Sequence, residues 1–183
     1  MPTMIKRTRV SFPNVHKPSG FGDSDPKYSI TCLIPKDSDL EKQIKAEMEK
    51  VAKATFGTNA SAILKKQQAD GMRALLKDGD EKLNKDGEPM APGHWMLKGS
   101  NKAKPLVIDR KGNQLDEDSG LPYGGCYCNV QVDIWGQNNQ FGKWLNVKLL
   151  GVQFVEDGDS FGGKVRSSVS DFEIEEDDTQ SDW

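Results

Sequence analysis

The sequence predicts a mainly β domain, a small antiparallel barrel with inserted α-helices, followed by an acidic C-terminal segment. Five or six short stretches alternate apolar and polar residues, which is the pattern of half-buried strands. The last two form a long hairpin, and an amphipathic helical stretch interrupts the earlier ones. The regular alternation of strands and helices that a parallel sheet needs is absent, so the pattern favours a barrel over a doubly wound sheet.

The chain divides into three parts by composition. Its 183 residues suffice for one domain with extensions, and we place that domain at 1–160, a linker at 161–170 and the acidic segment at 171–183. The net charge of −3 combines +4 on residues 1–170 with −7 on the remainder. Such asymmetry is typical of a body that binds a polyanion and a tail that interacts elsewhere, although a tail that only aids solubility gives the same composition.

Several classes of protein are disfavoured by what the sequence lacks. It has no run of 18 apolar residues and its N-terminus has no apolar signal stretch, so we expect no membrane partner. Three cysteines (Cys32, Cys126 and Cys128) fit no disulfide framework, which favours a reducing cytoplasm. The spacing of Cys126 and Cys128 is wrong for a zinc knuckle, so we expect no metal and no cofactor.

Two strands are predicted before the helices. Residues 6–12 are β-prone, with Val10 and Phe12 on one face and two arginines on the other. Residues 27–34 alternate more clearly, so that one face is buried and the other is wet. The intervening segment is rich in Gly, Pro and Asp and is predicted to be a loop.

A helical insertion is predicted at about 38–70. Ser38 and Glu41 have the spacing of a capping box, and Gly57 is a plausible helix end. A second, weaker helix is predicted over 59–69, and residues 72–92 are expected to be irregular. The apolar stripe of the first helix consists of Leu40, Ile44, Met48 and Val51.

The second half of the domain is predicted to hold four strands. Two short ones lie at 94–100 and 105–110, and two long ones at 125–135 and 141–155 form the hairpin. Alternation assigns to the core Cys126, Cys128, Val130, Val132 and Ile134 of the first long strand and Leu145, Val147 and Leu149 of the second. The opposite face carries Tyr127, Asn129, Gln131, Asp133 and Trp135, then Trp144, Asn146 and Lys148.

A wet sheet face that holds aromatic side chains, amides and lysines is typical of a surface for single-stranded nucleic acid. Aromatic rings stack on bases of any sequence, and cations neutralise phosphates. The alternative is that the aromatic residues belong to the core beneath the helices. We predict DNA contacts at Arg7, Arg9, Lys98, Lys102, Lys104, Tyr127, Trp135, Lys143, Trp144 and Lys148.

A second interpretation is a metal-dependent enzyme that processes nucleic acid. The loop and strand acids Asp109, Asp116, Asp118 and Asp133 could supply carboxylates, but their spacing does not support such a site. No phosphate-binding loop or nucleophile motif is present. We therefore expect a protein that is not an enzyme, and a weaker preference for double-stranded DNA or RNA stays open.

The sequence resembles tailed-phage single-stranded DNA-binding proteins of the OB-fold. The resemblance lies in residues 10–12, in "PMAPGHWMLKGSNKAKPLVID" at 89–109, and in "YGGCYCNVQVDIWGQNNQFGKWLNVKLLGVQFVEDGDSFGG" at 123–163. It implies an OB-fold with a helical insertion and a basic, aromatic groove. It also implies a role in DNA replication or recombination in the cytoplasm of an infected bacterium.

The resemblance gives the acidic segment a role as well. It implies a disordered tail that competes with DNA and recruits replication proteins such as a polymerase, helicase or primase. The carboxylates would mimic phosphates, and the terminal indole would mimic a base or enter a partner's apolar pocket. The tail residues concerned are Asp171, Phe172, Glu173, Glu175, Glu176, Asp177, Asp178, Asp182 and Trp183.

Overall fold

The computed structural model describes residues 2–20, 22–23 and 25–161. The predicted acidic tail, and the predicted linker beyond Phe161, lie outside these residues. The strands are β1 (Pro2–Ser19), β2 (Lys27–Pro35), β3 (Leu76–Asp78), β4 (His94–Asn101), β5 (Leu106–Ile108), β6 (Tyr127–Asn139) and β7 (Gly142–Glu156). The helices are α1 (Asp39–Phe56) and α2 (Ala60–Ala69), with 3₁₀ turns at Gly57–Asn59 and Glu117–Ser119. No helix in the described ranges is long and apolar enough to cross a membrane.

Five strands close into a barrel. β1 pairs antiparallel with β2 and β6, β2 pairs with β4, and β6 pairs with β7. A parallel bridge between Ser100 of β4 and Lys148 of β7 completes the circuit. The short strands β3 and β5 extend the sheet beside β4 and β7. This connectivity confirms the predicted mainly β barrel of the OB type with an inserted helical segment.

The core lies inside this barrel. The predicted buried face of β6 is confirmed, because Cys126, Cys128, Val130, Val132 and Ile134 are each at most 2 % exposed. Leu145 and Leu149 of β7 face them, while Val147 is half-buried. Burial of a large aliphatic side chain contributes about 1.5–3 kcal/mol, so this alternation fixes which face of the hairpin turns outward.

β1 is longer and less regular than predicted. Both Ile5 and Val10 are fully buried although they have opposite parity, because the register shifts between Ile5 and Thr8, where Arg7 has a φ of 52°. The prediction that Phe12 lies on the same face as Val10 is wrong, because Val10 is buried and Phe12 is not. Phe12 has a φ of 48° beside a second register shift, and its side chain is 56 % exposed.

The helical insertion begins as its sequence predicts. The Ser38 hydroxyl accepts the Glu41 N–H at 3.2 Å, and the Glu41 carboxylate accepts the Asp37 N–H at 3.1 Å. The α1 side chains Ile44 and Ala52 are buried in the core. After α2, the segment predicted to be irregular contains β3, which pairs with β4.

Candidate nucleic-acid interface

A groove of about 770 Å³ crosses the outside of β2, β4 and the end of the β6–β7 hairpin. Small polar side chains of Ser29, Thr31 and Ser100 lie along it. No carboxylate of the described residues lines it. The cations that line it are Lys27, Arg73, Lys77, Lys82, Lys98, Lys102 and Lys148.

Strand pairing explains the alternation of hydroxyls and lysines. Thr31 of β2 lies opposite Lys98 of β4, and Ser29 lies opposite Ser100. Ile30, between Ser29 and Thr31, is fully buried in the core, so its two neighbours point to the opposite face of the sheet. Small side chains beside long lysines leave space for a ligand close to the sheet.

The hairpin supplies an aromatic wall. Trp135 of β6 is 43 % exposed, whereas Trp144 of β7 is half-buried. The Trp144 indole donates to Asn146 Oδ1 at 3.2 Å, and the Asn146 amide donates to Gln137 Oε1 at 3.3 Å. Gly142 is required beside this ring, because a Cβ there would lie 1.9 Å from Trp144 Cζ3.

Arg73 lies over Trp144, with the guanidinium carbon 3.8 Å from a ring centroid. The buried side chain of Gln67 on α2 determines this arrangement. Its amide donates to the carbonyl of Arg73 at 2.7 Å and to that of Leu145 at 2.9 Å, and its oxygen accepts the Leu145 N–H at 2.8 Å. The helical insertion therefore positions the cation that covers the hairpin tryptophan.

The charges around the groove repel one another. The pKa of Lys77 is lowered, first by burial and then by the nearby charges of Lys82 and Lys98. Among the lining cations, the ion pairs formed within the described residues are Lys102–Asp25 at 3.0 Å and Arg73–Asp70 at 4.0 Å. The remaining cations concentrate positive potential that a polyanion would relieve.

The structure brings half of the predicted contact residues together. Lys98, Lys102, Trp135, Trp144 and Lys148 line the groove. Lys104, in the loop after β4, and Lys143, near the start of β7, are exposed outside it. The remaining three predicted residues, Arg7, Arg9 and Tyr127, lie elsewhere on the barrel.

These three residues lie near the start of β6 and the end of β7, far from the hairpin tip. Arg7 forms an ion pair with Glu156. Arg9 donates to backbone carbonyls of Gly125 and Asp159. Tyr127 comes two residues after Gly125 and lies opposite Arg9 in the pairing of β1 with β6. The structure does not place them on the groove.

Sequence reasoning missed four of the seven cations that line the groove, and the exposed ring of Phe12. Lys27 stands on the wet face of a correctly predicted strand, so its signal was present. Arg73, Lys77 and Lys82 come from the stretch interpreted as irregular, where alternation gives no orientation. Phe12 was placed on the same face as Val10 because the register shift beside it leaves little trace in the sequence.

Two of the acids of the alternative interpretation stabilise turns. Asp109 accepts the N–H groups of Lys111 and Asn113 at 2.8 and 2.9 Å, and Asp116 accepts that of Ser119 at 3.2 Å. Across the described ranges, no three His, Cys, Asp or Glu side chains are grouped to hold a metal ion.

Comparison with known proteins gives one family for the whole chain. The family model described as "Enterobacter phage Enc34, ssDNA-binding protein" matches residues 1–182. Protein p50 of Acyrthosiphon pisum secondary endosymbiont phage 1 is 37% identical over 176 residues, which cover 94% of this chain and 93% of p50.

Solved structures with the same architecture include two phage proteins. The single-stranded DNA-binding protein from bacteriophage Enc34, in complex with ssDNA, is 29% identical with a TM-score of 0.69, covering 88% of this chain and 89% of that one. The single-stranded DNA-binding protein gp2.5 of bacteriophage T7 has a TM-score of 0.56 at 16% identity, covering 90% of each chain, and shares the fold.

Proposed function

We propose that this chain, which belongs to the family of the Enterobacter phage Enc34 single-stranded DNA-binding protein, binds single-stranded DNA without sequence preference and without catalysis. The observation that carries the proposal is the groove, which is lined by seven cations and, among the described residues, by no carboxylate. The Enc34 relative, of similar fold, was solved with ssDNA bound.

The geometry suits an extended strand of nucleotides. Lys98 and Lys148 stand on either side of the closure between β4 and β7, where phosphates would release counterions. Trp135 and Phe12 expose the aromatic surface on which bases stack. The β2–β4 face and the hairpin tip together are the surface that OB barrels use for oligonucleotides.

Stacking also predicts which nucleic acid is preferred. Every base presents a π-face, so rings such as Trp135 accept any sequence. Bases in a duplex already stack on one another, so double-stranded DNA gains only the phosphate contacts and should bind more weakly. The phosphate contacts also admit RNA.

In the infected cell, we propose that the protein protects and organises single-stranded DNA during replication or recombination. The acidic tail, 171–183, would compete with DNA for the groove and recruit replication proteins. Its seven carboxylates are opposite in charge to the groove, and a tethered segment competes at high effective concentration.

A fluorescence titration tests the proposal. Oligo-dT should quench tryptophan emission of the full chain, with affinity that falls steeply with salt, and a chain that ends at Ser170 should bind more tightly. Lys98→Ala should reduce the slope of log K against log salt by about 0.7, the value for one single-strand phosphate contact. Lys50→Ala, on the exposed side of α1, is the matched control.

Absence of binding by either chain would refute the DNA-binding proposal. Equal affinity of the full and truncated chains would refute competition by the tail, but not DNA binding. DNA that is cut during incubation with Mg²⁺, and spared with EDTA, would favour the metal-dependent enzyme.

A further inference from the structure

The chain that follows β7 is attached to the barrel by a specific set of contacts. Tyr123 donates its hydroxyl hydrogen to Asp157 Oδ1 at 2.7 Å and accepts the Gly158 N–H at 3.1 Å. Burial, and then the bond to Asp157, raises the pKa of Tyr123 to about 12, so it stays a neutral donor at physiological pH.

Arg9 completes the attachment. Its Nε donates to the carbonyl of Gly125 at 3.0 Å, one terminal nitrogen donates to that of Asp159 at 2.7 Å, and its guanidinium carbon lies 4.2 Å from the centroid of the Phe161 ring. The guanidinium therefore joins the start of β6 to the segment 157–161. A phosphate would have to compete with these contacts.

Glycines allow the two backbones to meet. A Cβ on Gly125 would lie 2.0 Å from the Asp159 carbonyl oxygen, and one on Gly158 would lie 2.2 Å from that of Gly125. The Phe161 N–H donates to the Gly124 carbonyl at 2.9 Å. These close contacts between residues 124–125 and residues 158–161 fix the path of the segment 157–161 along the barrel.

This course ends beside the groove. Phe161 packs against a small apolar cluster that contains Leu33, Ala91 and Met96, and Met96 also lines the groove. One side chain thus separates the last described residue from the proposed DNA site.

The distance from there to the acids is short. Asp171 lies ten residues after Phe161 in the sequence, which corresponds to a root-mean-square span of about 17 Å and a maximum of about 35 Å. The groove runs along β4 from Met96 to Ser100, a span of about 13 Å. Residues 171–183 can therefore reach the lysines of the same molecule.

We propose that Arg9, Tyr123, Gly125 and residues 157–161 form a tail anchor, which starts the acidic tail at the rim of the groove so that it competes with DNA in cis. Arg9 is then a positioning residue for the tail and makes no DNA contact. This inference rests on the proposed function. It means that Arg9 lowers the affinity of the full chain for DNA, whereas the sequence analysis expected Arg9 to raise it.

The sign of the Arg9 effect tests the anchor. In the full chain, Arg9→Ala should tighten binding of oligo-dT by about two- to fivefold, because a longer, displaced tether lowers the tail's effective concentration. In the chain that ends at Ser170, the same substitution should change nothing. Arg9→Lys should behave as Arg9→Ala, since lysine keeps the charge but loses the planar fork.

The other outcomes separate the two proposals. Weaker binding by Arg9→Ala in both chains, with rescue by Arg9→Lys, would make Arg9 a phosphate contact and overturn the anchor. The anchor would also be overturned if Arg9→Ala left the oligo-dT affinity of the full chain unchanged while truncation at Ser170 still tightened binding. No binding by any chain would instead refute the DNA-binding function itself.

Two further measurements keep the test independent of folding and of DNA. Hydrogen exchange should show that Arg9→Ala removes protection of the Gly158 and Phe161 amides while β6 stays protected; retained protection would contradict the anchor. For competition in cis, the difference between full and truncated chains should not depend on protein concentration. A difference that grows with concentration would show action between molecules.

Discussion

The groove and the tail anchor use the same kinds of residue on the same barrel, yet we assign them different roles. Lys98 and Lys148 in the groove form no ion pair within the described part of the chain, whereas Arg9 already donates to two carbonyls and Arg7 pairs with Glu156. Trp135 is exposed along the groove, whereas Tyr127 lies close to Gly158. A cation or an aromatic residue on a strand is available to a ligand only where the fold has left it unsatisfied.

The two aromatic residues of β6 give the largest expected contrast. In the chain that ends at Ser170, Trp135→Ala should weaken oligo-dT binding by roughly 5- to 150-fold, the loss of about 1–3 kcal/mol of stacking on one base. Tyr127→Ala, beside the tail anchor, should change affinity by less than about twofold. Equal losses for both would mean that DNA extends along the whole strand, and the separation of the two regions would fail.

A smaller effect should follow from the insertion, which supports the groove and not the anchor. Gln67→Ala leaves the backbone groups of Leu145 unpaired, so we expect about 1–3 kcal/mol lower unfolding free energy and a few-fold weaker DNA binding through displaced Arg73. Gln68→Ala, which removes one bond to the Leu76 carbonyl, is the neighbouring control. Chemical denaturation and titration at a temperature where both variants are folded provide the comparison. DNA affinity unchanged by Gln67→Ala would show that the Arg73–Trp144 pair lies outside the contact.

The smallest effect is a dependence on pH specific to the groove. Phosphates should raise the pKa of Lys77 above its lowered value in the free protein, so the contribution of Lys77 is complete below the free pKa and lost as the pH rises through the bound one. From about pH 7.5 to 10, the unmodified chain should lose affinity by up to about threefold more than Lys77→Arg, which stays charged. Lys98→Arg controls for the exchange of lysine for arginine. Parallel curves for the unmodified chain and Lys77→Arg would place Lys77 away from the phosphates.

Strict alternation made the barrel and the two tryptophans of the groove predictable. The four buried residues of β6 fix its outer face, and Trp135 follows from that face without knowledge of the fold. Capping at Ser38 similarly placed α1. These features depend on local periodicity, which can be read directly from the sequence.

What the sequence could not supply depends on contacts between distant segments. Arg9 and Lys98 are equivalent by alternation, and only the folding back of residues 157–161 onto Gly125 distinguishes them. The role of Gln67 depends on the backbone of Leu145 in β7, 78 residues away. Phe12 was misplaced because the register of β1 shifts between Ser11 and Asn14.

The closure between β4 and β7 has a consequence for how the ligand and the barrel depend on each other. In the described structure, one backbone bridge, Ser100–Lys148, joins these strands, and a side-chain bond from Asn101 to the Leu149 carbonyl reinforces it. The groove crosses this seam, so a bound strand with phosphates on Lys98 and Lys148 would form a further link between β4 and β7. The nucleic acid would then serve as a structural component of the barrel. The fraction of protein with DNA bound would determine how stable the pairing of β4 with β7 is.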